Sequence, residues 1–247
     1  MFFHIQKIIP CITRYLLQEK IDKADSLSRQ IANKAYDFIQ KHVGPKEIQE
    51  YIDKNTGGLG YRNKLVGADW ERVVALGCYI AWAEAVSNKD TVLEIGTGLG
   101  RTNYCLQYSG AKQIITIDID PYIVGIALNN NPYEAFQHAL NNRSITKIIL
   151  GDANILTNIL LRIGYYFTHI VHDGGPNPRK NPRIFSNSFL FKLHVLLRKN
   201  GRISVFAGKD PRIVSRIYKF FKDLGYETYT FNPPGLNIKI VRGIKSS

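Results

Sequence analysis

From residue 91 onward, short apolar runs alternate with stretches of helical periodicity, and this alternation constrains the fold more than any other feature. Five such runs occur in order, at residues 91–95, 112–119, 147–150, 167–172 and 201–207. Strands that alternate with helices form βαβ units around a parallel sheet with both faces covered. The sequence therefore predicts a doubly wound, mostly parallel α/β sheet.

Two further runs, at residues 226–231 and 237–241, complete the chain after a helical stretch at 211–224. Only residues 232–236 separate them, which is too short for a crossover helix, so these strands should pair as antiparallel neighbours. The prediction is a seven-stranded sheet of five parallel strands closed by a hairpin.

Residues 1–55 show helical spacing instead, which predicts a helical N-terminal extension (1–60) ahead of the main domain (61–247). We expect the extension to pack on the main domain or on another subunit, which makes a homo-oligomer possible. Asp25 or Ser26 could cap its second helix, which should end at residues 44–45. The glycine-rich segment 55–61 is either a linker or a binding loop. A helix over 69–86 should follow, with Trp70 turned inward.

The net charge of +13 is concentrated in the last third, where residues 177–247 carry 15 Lys and Arg against 3 Asp and Glu. A one-sided basic field attracts polyanions, so nucleic acid is a natural partner. The alternative is an ordinary solvated surface rich in lysine and arginine.

No apolar run approaches the ~18 residues that a membrane helix needs, and no signal peptide or membrane partner is expected.

The three cysteines, Cys11, Cys78 and Cys105, are odd in number and far apart in the sequence. They form neither a disulfide framework nor a zinc-binding spacing, so no metal is expected. A reducing cytoplasm is the simplest interpretation.

A glycine loop, EIGTGLG at residues 94–100, lies between the first predicted strand and a helix that should begin near Arg101 or Thr102. Glycines at this position let the backbone turn sharply and let a ligand approach closely. The dinucleotide fingerprint G-x-G-x-x-G fails at its third glycine, because that position is Arg101. A P-loop is excluded because the Gly-Lys-Ser/Thr ending is absent. Glu94 would repel a phosphate and suits a cationic ligand.

The segment VLEIGTGLG at residues 92–100 closely resembles the first motif of class I S-adenosylmethionine-dependent methyltransferases, and most closely archaeal ones of the spermidine-synthase-like kind. The resemblance extends in order over residues 60–247 and implies a Rossmann-like sheet with S-adenosylmethionine as cofactor. It assigns cofactor binding to the following residues: Glu94, Gly96, Thr97, Gly98, Gly100, Asp118, Ile119, Asp152 and Ala153.

Two of these acids have alternative interpretations. Asp118, at the end of the second strand, is placed to bind ribose hydroxyls, but an NAD enzyme would use the same acid. Asp152 follows the third strand, where the family often binds the adenine amino group, and it could equally be a helix N-cap.

The segment HDGGPN at residues 172–177 ends the fourth strand, where the family places catalytic or substrate-facing residues. Asp173 and His172 are the catalytic candidates, and strand alternation suggests that only one of them faces the cofactor. Asp173 could instead cap the turn at Gly174, and His172 and His169 could be structural. The family's Asp-Pro-Pro or Asn-Pro-Pro-Tyr element is replaced here, which weakens the case for methylation of a nucleobase amine.

Three functions remain open at this point. The first is a methyltransferase acting on RNA or another anionic substrate, guided by the basic segment 177–183. The second is an aminopropyltransferase that uses decarboxylated cofactor; such enzymes need acids to hold a polyamine, and the last third is basic. The third is a cofactor-binding or RNA-binding module without catalysis, since a fold alone does not determine function.

Overall fold

The computed structural model describes residues 5–55, 70–175 and 178–246, which contain seven strands and ten α-helices. The helices are α1 (Ile5–Leu17), α2 (Ile21–His42), α3 (Pro45–Asn55), α4 (Trp70–Ala81), α5 (Arg101–Tyr108), α6 (Pro121–Asn129), α7 (Glu134–Asn141), α8 (Ala153–Arg162), α9 (Asn187–Leu196) and α10 (Pro211–Asp223). The strands are β1 (Thr91–Ile95), β2 (Gln113–Asp118), β3 (Thr146–Leu150), β4 (Phe167–His172), β5 (Leu197–Gly208), β6 (Tyr226–Phe231) and β7 (Lys239–Lys245).

All seven strands form one sheet in the order β3-β2-β1-β4-β5-β7-β6. The first five are parallel, while β7 is antiparallel to both β5 and β6. The predicted sheet and its closing hairpin are therefore confirmed. The strand order reverses between β1 and β4, and ligands of open α/β sheets bind at such a switch point, beyond the carboxyl ends of the strands.

The central strands are apolar because helices cover both faces of the sheet. Val92 and Leu93 of β1 and Ile114 and Ile115 of β2 are fully buried, although each pair points to opposite faces. Such strands have nearly continuous apolar runs rather than an alternating pattern, which is why they are visible in the sequence.

Helix α2 covers the free edge of β3 with polar side chains. The Asp25 carboxylate accepts a hydrogen bond from the Ile148 N–H (2.8 Å), and the Ser28 hydroxyl accepts one from the Leu150 N–H (3.0 Å). Asp25 also binds Arg29 (2.7 Å), whose guanidinium donates to the carbonyl of Thr146 (3.2 Å). The prediction that Asp25 or Ser26 caps α2 is wrong, because the helix begins at Ile21 and Asp25 is buried against the sheet.

Helix α2 also packs closely on α6. A Cβ atom added at Gly125 would lie 2.4 Å from the carbonyl oxygen of Ala32, so only glycine permits this close approach. Ile31, Ala35 and Ile39 of α2 are buried, as the helical spacing predicts. The N-terminal helices thus pack on the main domain of their own chain; the expected boundary near residue 60 lies outside the described residues.

Several predicted element ends shift in the structure. Strand β5 begins four residues earlier than predicted, with a bulge against β4 between Phe167 and His169, and β7 runs to Lys245. The helix predicted over 69–86 ends at Ala81, because Trp82 adopts a left-handed conformation (φ 52°). The Trp70 side chain is 44% exposed rather than turned inward, and its ring contacts those of Tyr104 and Phe136.

Within the described part of the chain, no helix combines the length and apolarity that a membrane crossing requires.

Candidate functional site

The glycine loop connects β1 to α5 through a backbone that turns at alternate residues. Gly96, Gly98 and Gly100 have φ values of 96°, 50° and 88°, in the region that side-chain-bearing residues rarely adopt. Helix α5 begins directly after it at Arg101, as the sequence predicts.

The loop is held tightly at its first glycine. A Cβ atom at Gly96 would lie 2.5 Å from the carbonyl oxygen of Asp173, so the β1 and β4 ends approach each other here. The Asp173 N–H donates to the carbonyl of Ile95 (2.9 Å), and the Gly96 N–H donates to the carbonyl of Ile117 (2.8 Å). The carboxyl ends of β1, β2 and β4 therefore meet at one point.

The middle of the loop is open, in contrast to its start. A Cβ atom at Gly98 would meet nothing within 4 Å, whereas one at Gly100 would lie 2.7 Å from the Leu140 side chain. The loop therefore leaves a space at Gly98 that a ligand can enter and a side chain would fill.

Asp118 supports this open part from the end of β2. Its carboxylate accepts hydrogen bonds from the N–H groups of Gly98 (2.9 Å) and Asp120 (3.0 Å). Burial raises the pKa of Asp118 to about 6, against the opposing effect of these hydrogen bonds. Next to it, Ile119 is 63% exposed, which leaves an apolar surface at the mouth of the site.

The end of β3 adds the predicted pair Asp152 and Ala153. Asp152 caps α8 by accepting a hydrogen bond from the Asn154 N–H (2.8 Å), which is the alternative that the sequence left open. Its second oxygen lies 3.7 Å from Arg183 Nη2, and the Asp152 side chain is partly exposed. The Gly151 N–H donates to the Asp118 carbonyl (2.8 Å), so these two acidic positions are neighbours.

Glu94 does not face the open space, and the expectation that it meets a cationic ligand is corrected. Its side chain is 0% exposed and accepts hydrogen bonds from the Thr102 hydroxyl and the Asn103 amide (3.2 Å), both in the first turn of α5. Burial raises the pKa of Glu94 to about 7, although the hydrogen bonds lower it. Thr97 also points inward, with its hydroxyl 2.7 Å from that of Thr116. Any contact of Thr97 with a ligand would use its main chain.

Asp173 lies just beyond β4 with its carboxylate at the edge of the site. Arg101 Nη2 contacts its Oδ2 at 3.3 Å, and the two side chains are 11% and 19% exposed. Burial raises the pKa of Asp173, and the Arg101 guanidinium opposes the rise. The Gly175 N–H donates to the Asp173 main-chain carbonyl (3.0 Å), so the backbone turns here; this bond does not involve the carboxylate, and its capping of the turn stays a prediction.

His172 is removed from the catalytic candidates by its surroundings. The ring is 0% exposed and stacks on Phe185 with 4.2 Å between centroids. Its Nε2 donates to the Ile184 carbonyl (2.7 Å) and its Nδ1 accepts from the Gly174 N–H (3.2 Å). Burial lowers the pKa of His172 to about 4, so the ring is neutral. His169, equally buried, bonds the Ala81 carbonyl (2.9 Å) and is structural.

Two residues of the site were missed in the sequence. Arg101 was noticed only as the residue that breaks the dinucleotide pattern, yet it binds Asp173. Tyr51 of α3 donates its hydroxyl to Asp120 (2.6 Å), and its ring contacts Tyr122 edge-on. Helix α3 thereby forms one wall beside Asp118. No local sequence signal predicts this contact, because 69 residues separate Tyr51 from Asp120.

The comparisons with known proteins bear on the same part of the chain. A family model described as ribosomal protein L11 methyltransferase (PrmA) matches residues 75–177. A putative protein N5-glutamine methyltransferase from Methanocaldococcus jannaschii is 32% identical over 150 residues, which cover 58% of this chain and 73% of that protein. The chain belongs to the S-adenosylmethionine-dependent methyltransferases.

Among solved structures, spermidine synthase bound to the transition-state analogue AdoDATO matches the methyltransferase with a TM-score of 0.53 and 15% identity. Spermidine synthase from Thermotoga maritima matches with a TM-score of 0.51, also at 15% identity. Both matches cover 70% of this chain but only 59% of the synthase, so the methyltransferase spans about three fifths of their length. At this identity the likeness shows the Rossmann-like fold alone.

The residues of the site fit the cofactor S-adenosylmethionine. The space at Gly98 would accept the amino acid part, and Asp118 has further lone pairs that can accept from ribose hydroxyls. Ile119 would cover the adenine from one side, with Asp152 and Ala153 near its edge. These assignments of individual residues remain predictions.

Proposed function

We propose that this methyltransferase transfers a methyl group to RNA. The observation that carries the proposal is a group of exposed basic side chains on the segments that follow β4 and β5, which we call the basic rim. Its members are Arg179, Lys180, Arg183, Lys209 and Arg212. Basic side chains arranged around a site attract the phosphates of a nucleic acid.

The basic rim is a single surface because two segments meet at the carboxyl edge of the sheet. Residues 178–183 follow β4, and residues 209–212 follow β5, its parallel neighbour. Arg179 joins them by binding Asp210 at 2.6 Å, and Asp210 caps α10. The basic rim therefore lies at the same edge of the sheet as Asp173, which follows β4.

A groove continues this surface away from the site. It encloses about 330 Å³ and is lined by Lys209, Lys239, Tyr218 and Val214, among others. Lysines combined with an aromatic ring are typical of sites that bind single-stranded nucleic acid, in which bases stack on the ring. The groove shares Lys209 with the basic rim, so an RNA strand held there would extend toward Asp173.

The chemistry at the site depends mainly on alignment. When bound, S-adenosylmethionine supplies a methyl group on a positively charged sulfur, which an acceptor atom displaces. Correct alignment of reacting groups can account for ~7–11 kcal/mol of a barrier. The glycine loop and Asp118 hold one side of this arrangement. Asp173 lies on the other, where a carboxylate of raised pKa can orient the acceptor or accept its proton.

The name of the M. jannaschii relative gives a protein glutamine as acceptor. We do not transfer that acceptor to this chain, because the Pro-Pro element of amine-methylating relatives is replaced by Gly174-Gly175, which argues equally against an exocyclic base amine as the acceptor in RNA. Protein is therefore the alternative that the experiment has to distinguish. An RNA acceptor agrees with the cytoplasmic location expected from the sequence. Oligomerisation through the N-terminal helices remains a prediction.

The test is a methyl-labelling assay with tritiated S-adenosylmethionine on separate pools of RNA, protein and small molecules. We expect label in the RNA pool that is sensitive to ribonuclease and resistant to protease. Label in protein would replace the RNA proposal with a protein acceptor. Cofactor binding without label in any pool would indicate a non-catalytic module, and transfer only from the decarboxylated cofactor would indicate an aminopropyltransferase.

Charge reversal tests the basic rim itself. K180E/K209E should weaken RNA binding and reduce the slope of log affinity against log salt by about 1.4–1.8, since each lost phosphate contact contributes about 0.7–0.9. The matched control is R198E/K199E, which reverses two exposed charges at the opposite edge of the sheet, where β5 begins. Equal weakening by both variants would refute the basic rim as the RNA-binding surface.

A further inference from the structure

Two cysteines that are distant in the sequence meet between α4 and α5. Cys78 and Cys105 are 27 positions apart, and their sulfur atoms lie 2.7 Å from each other. This is closer than two sulfur atoms in ordinary packing contact and about 0.7 Å longer than a disulfide bond. The sequence interpretation, which excluded a disulfide framework from the spacing, did not foresee this pair.

The backbone geometry brings the two helices together at this position. A Cβ atom at Gly77 would lie 3.1 Å from the Cys105 sulfur and 2.5 Å from the Arg101 side chain. The residue before Cys78 is therefore a glycine packed directly on the first two turns of α5. The sulfur pair results from this close helix contact.

The two thiols differ in their access to solvent. Cys105 is 0% exposed, whereas Cys78 is half-buried, so a small oxidant can reach Cys78 first. The contact with Cys105 lowers the pKa of the Cys78 thiol, which increases its thiolate fraction. A reachable thiol beside a buried second thiol is the arrangement of an attacking and a resolving cysteine.

We propose that Cys78 and Cys105 form a redox-modification site that closes to an intramolecular disulfide when a peroxide is present. The Cys78 thiolate attacks one peroxide oxygen, the O–O bond breaks, and the leaving hydroxide takes up a proton to become water. The Cys105 sulfur then attacks the sulfur of the Cys78 sulfenic acid. The S–S bond forms, the S–O bond breaks, and the oxygen leaves as water with the Cys105 proton. In total, two thiols lose two electrons and two protons, and the peroxide is reduced to water.

This bond would fasten α4 to the helix that organises the cofactor loop. Helix α5 starts at Arg101, which binds Asp173, and its first turn holds the buried Glu94. The disulfide would therefore stabilise the site against heat.

The experiment treats the reduced full-length protein with hydrogen peroxide, denatures it, and blocks the remaining thiols with N-ethylmaleimide. The sequence has three cysteines, so the reduced protein should take up three labels and the oxidised protein one. Mass spectrometry without reductant should find one peptide pair joined through Cys78 and Cys105. C11S is the matched control and should still form this pair, while C78S should not.

Thermal unfolding gives a second measurement. The oxidised protein should melt on the order of 5–10 °C above the reduced protein, and reductant should reverse the shift. It should also retain S-adenosylmethionine binding at temperatures where the reduced protein loses it. Three free thiols after treatment, a bond through Cys11, or a joined peptide pair in C78S would overturn the proposal. The peptide analysis uses the protein with its native sequence. Its result therefore does not depend on whether the fold tolerates a substitution at the buried Cys105.

Discussion

The Glu94 carboxylate lies beneath the glycine loop with no exposure to solvent, and its ionisation opposes folding. Its hydrogen bonds come from Thr102 and Asn103, whose side chains are uncharged. Burial raises the pKa of Glu94 from the ordinary value of 4.5 to about 7. We therefore predict that Glu94→Gln, which keeps the shape and removes the ionisation, changes how stability depends on pH.

The magnitude follows from the size of the shift. A rise of about 2.5 pKa units corresponds to roughly 3 kcal/mol, at 1.36 kcal/mol per unit. Because the folded-state pKa is raised, the native protein holds this proton more tightly than the unfolded chain. The stabilisation is complete below pH 4.5 and is lost as the pH rises through about 7.

The assay is urea unfolding of both proteins at half-unit steps from pH 4.5 to 8.5. The unfolding free energy of the native protein minus that of Glu94→Gln should fall by roughly 3 kcal/mol across this range. Taking this difference in unfolding free energy cancels the contributions of Asp118 and the other titrating groups, because both proteins contain them. Glu227→Gln, at an exposed position of β6, is the control and should give a flat difference. Parallel curves for the native protein and Glu94→Gln would refute the argument.

Three further predictions concern the cofactor site. Asp118→Ala should weaken S-adenosylmethionine binding by roughly 1–3 kcal/mol through loss of charged hydrogen bonds, and an unchanged calorimetric dissociation constant would exclude Asp118 from the site. Gly98→Val should abolish binding while circular dichroism shows a folded domain, because its side chain fills open space and the strain at φ 50° is confined to the loop; retained binding would mean that the cofactor does not enter there. Tyr51→Phe should lower the unfolding free energy by about 1 kcal/mol by removing the hydrogen bond to Asp120, measured in urea against the exposed control Tyr108→Phe.

The sheet and the position of the glycine loop could be predicted because their signals are local. Buried parallel strands produce short apolar runs, and a strand followed by alternating glycines and a helix marks a ligand-binding turn. Asp118 follows from the same reasoning, as the acid at the end of the next strand. Each of these inferences uses residues that are close in the chain.

The errors concern side-chain directions that packing between elements decides, whether the partner is near in the chain or far from it. Asp25 is a residue type that often caps helix N-termini, but its hydrogen-bond partner is the Ile148 amide, 123 residues away. The Glu94 side chain was expected to face the ligand. The sequence does not reveal that α5 places two hydrogen-bond donors against its carboxylate from the opposite side. The orientation of His172 depends in the same way on the Phe185 ring and the Ile184 carbonyl. Side-chain direction at a strand end is decided by tertiary packing, which a one-dimensional pattern does not contain.

Helix α2 covers the free backbone edge of β3, and this limits how far the enzyme can be truncated from its N-terminus. A fragment cut at the start of the recognisable motifs would keep all seven strands and the whole glycine loop. It would nevertheless present two unsatisfied strand amides, those of Ile148 and Leu150, to any neighbouring molecule. Such a truncated protein should self-associate by edge pairing, so the smallest well-behaved unit has to include Asp25 and Ser28.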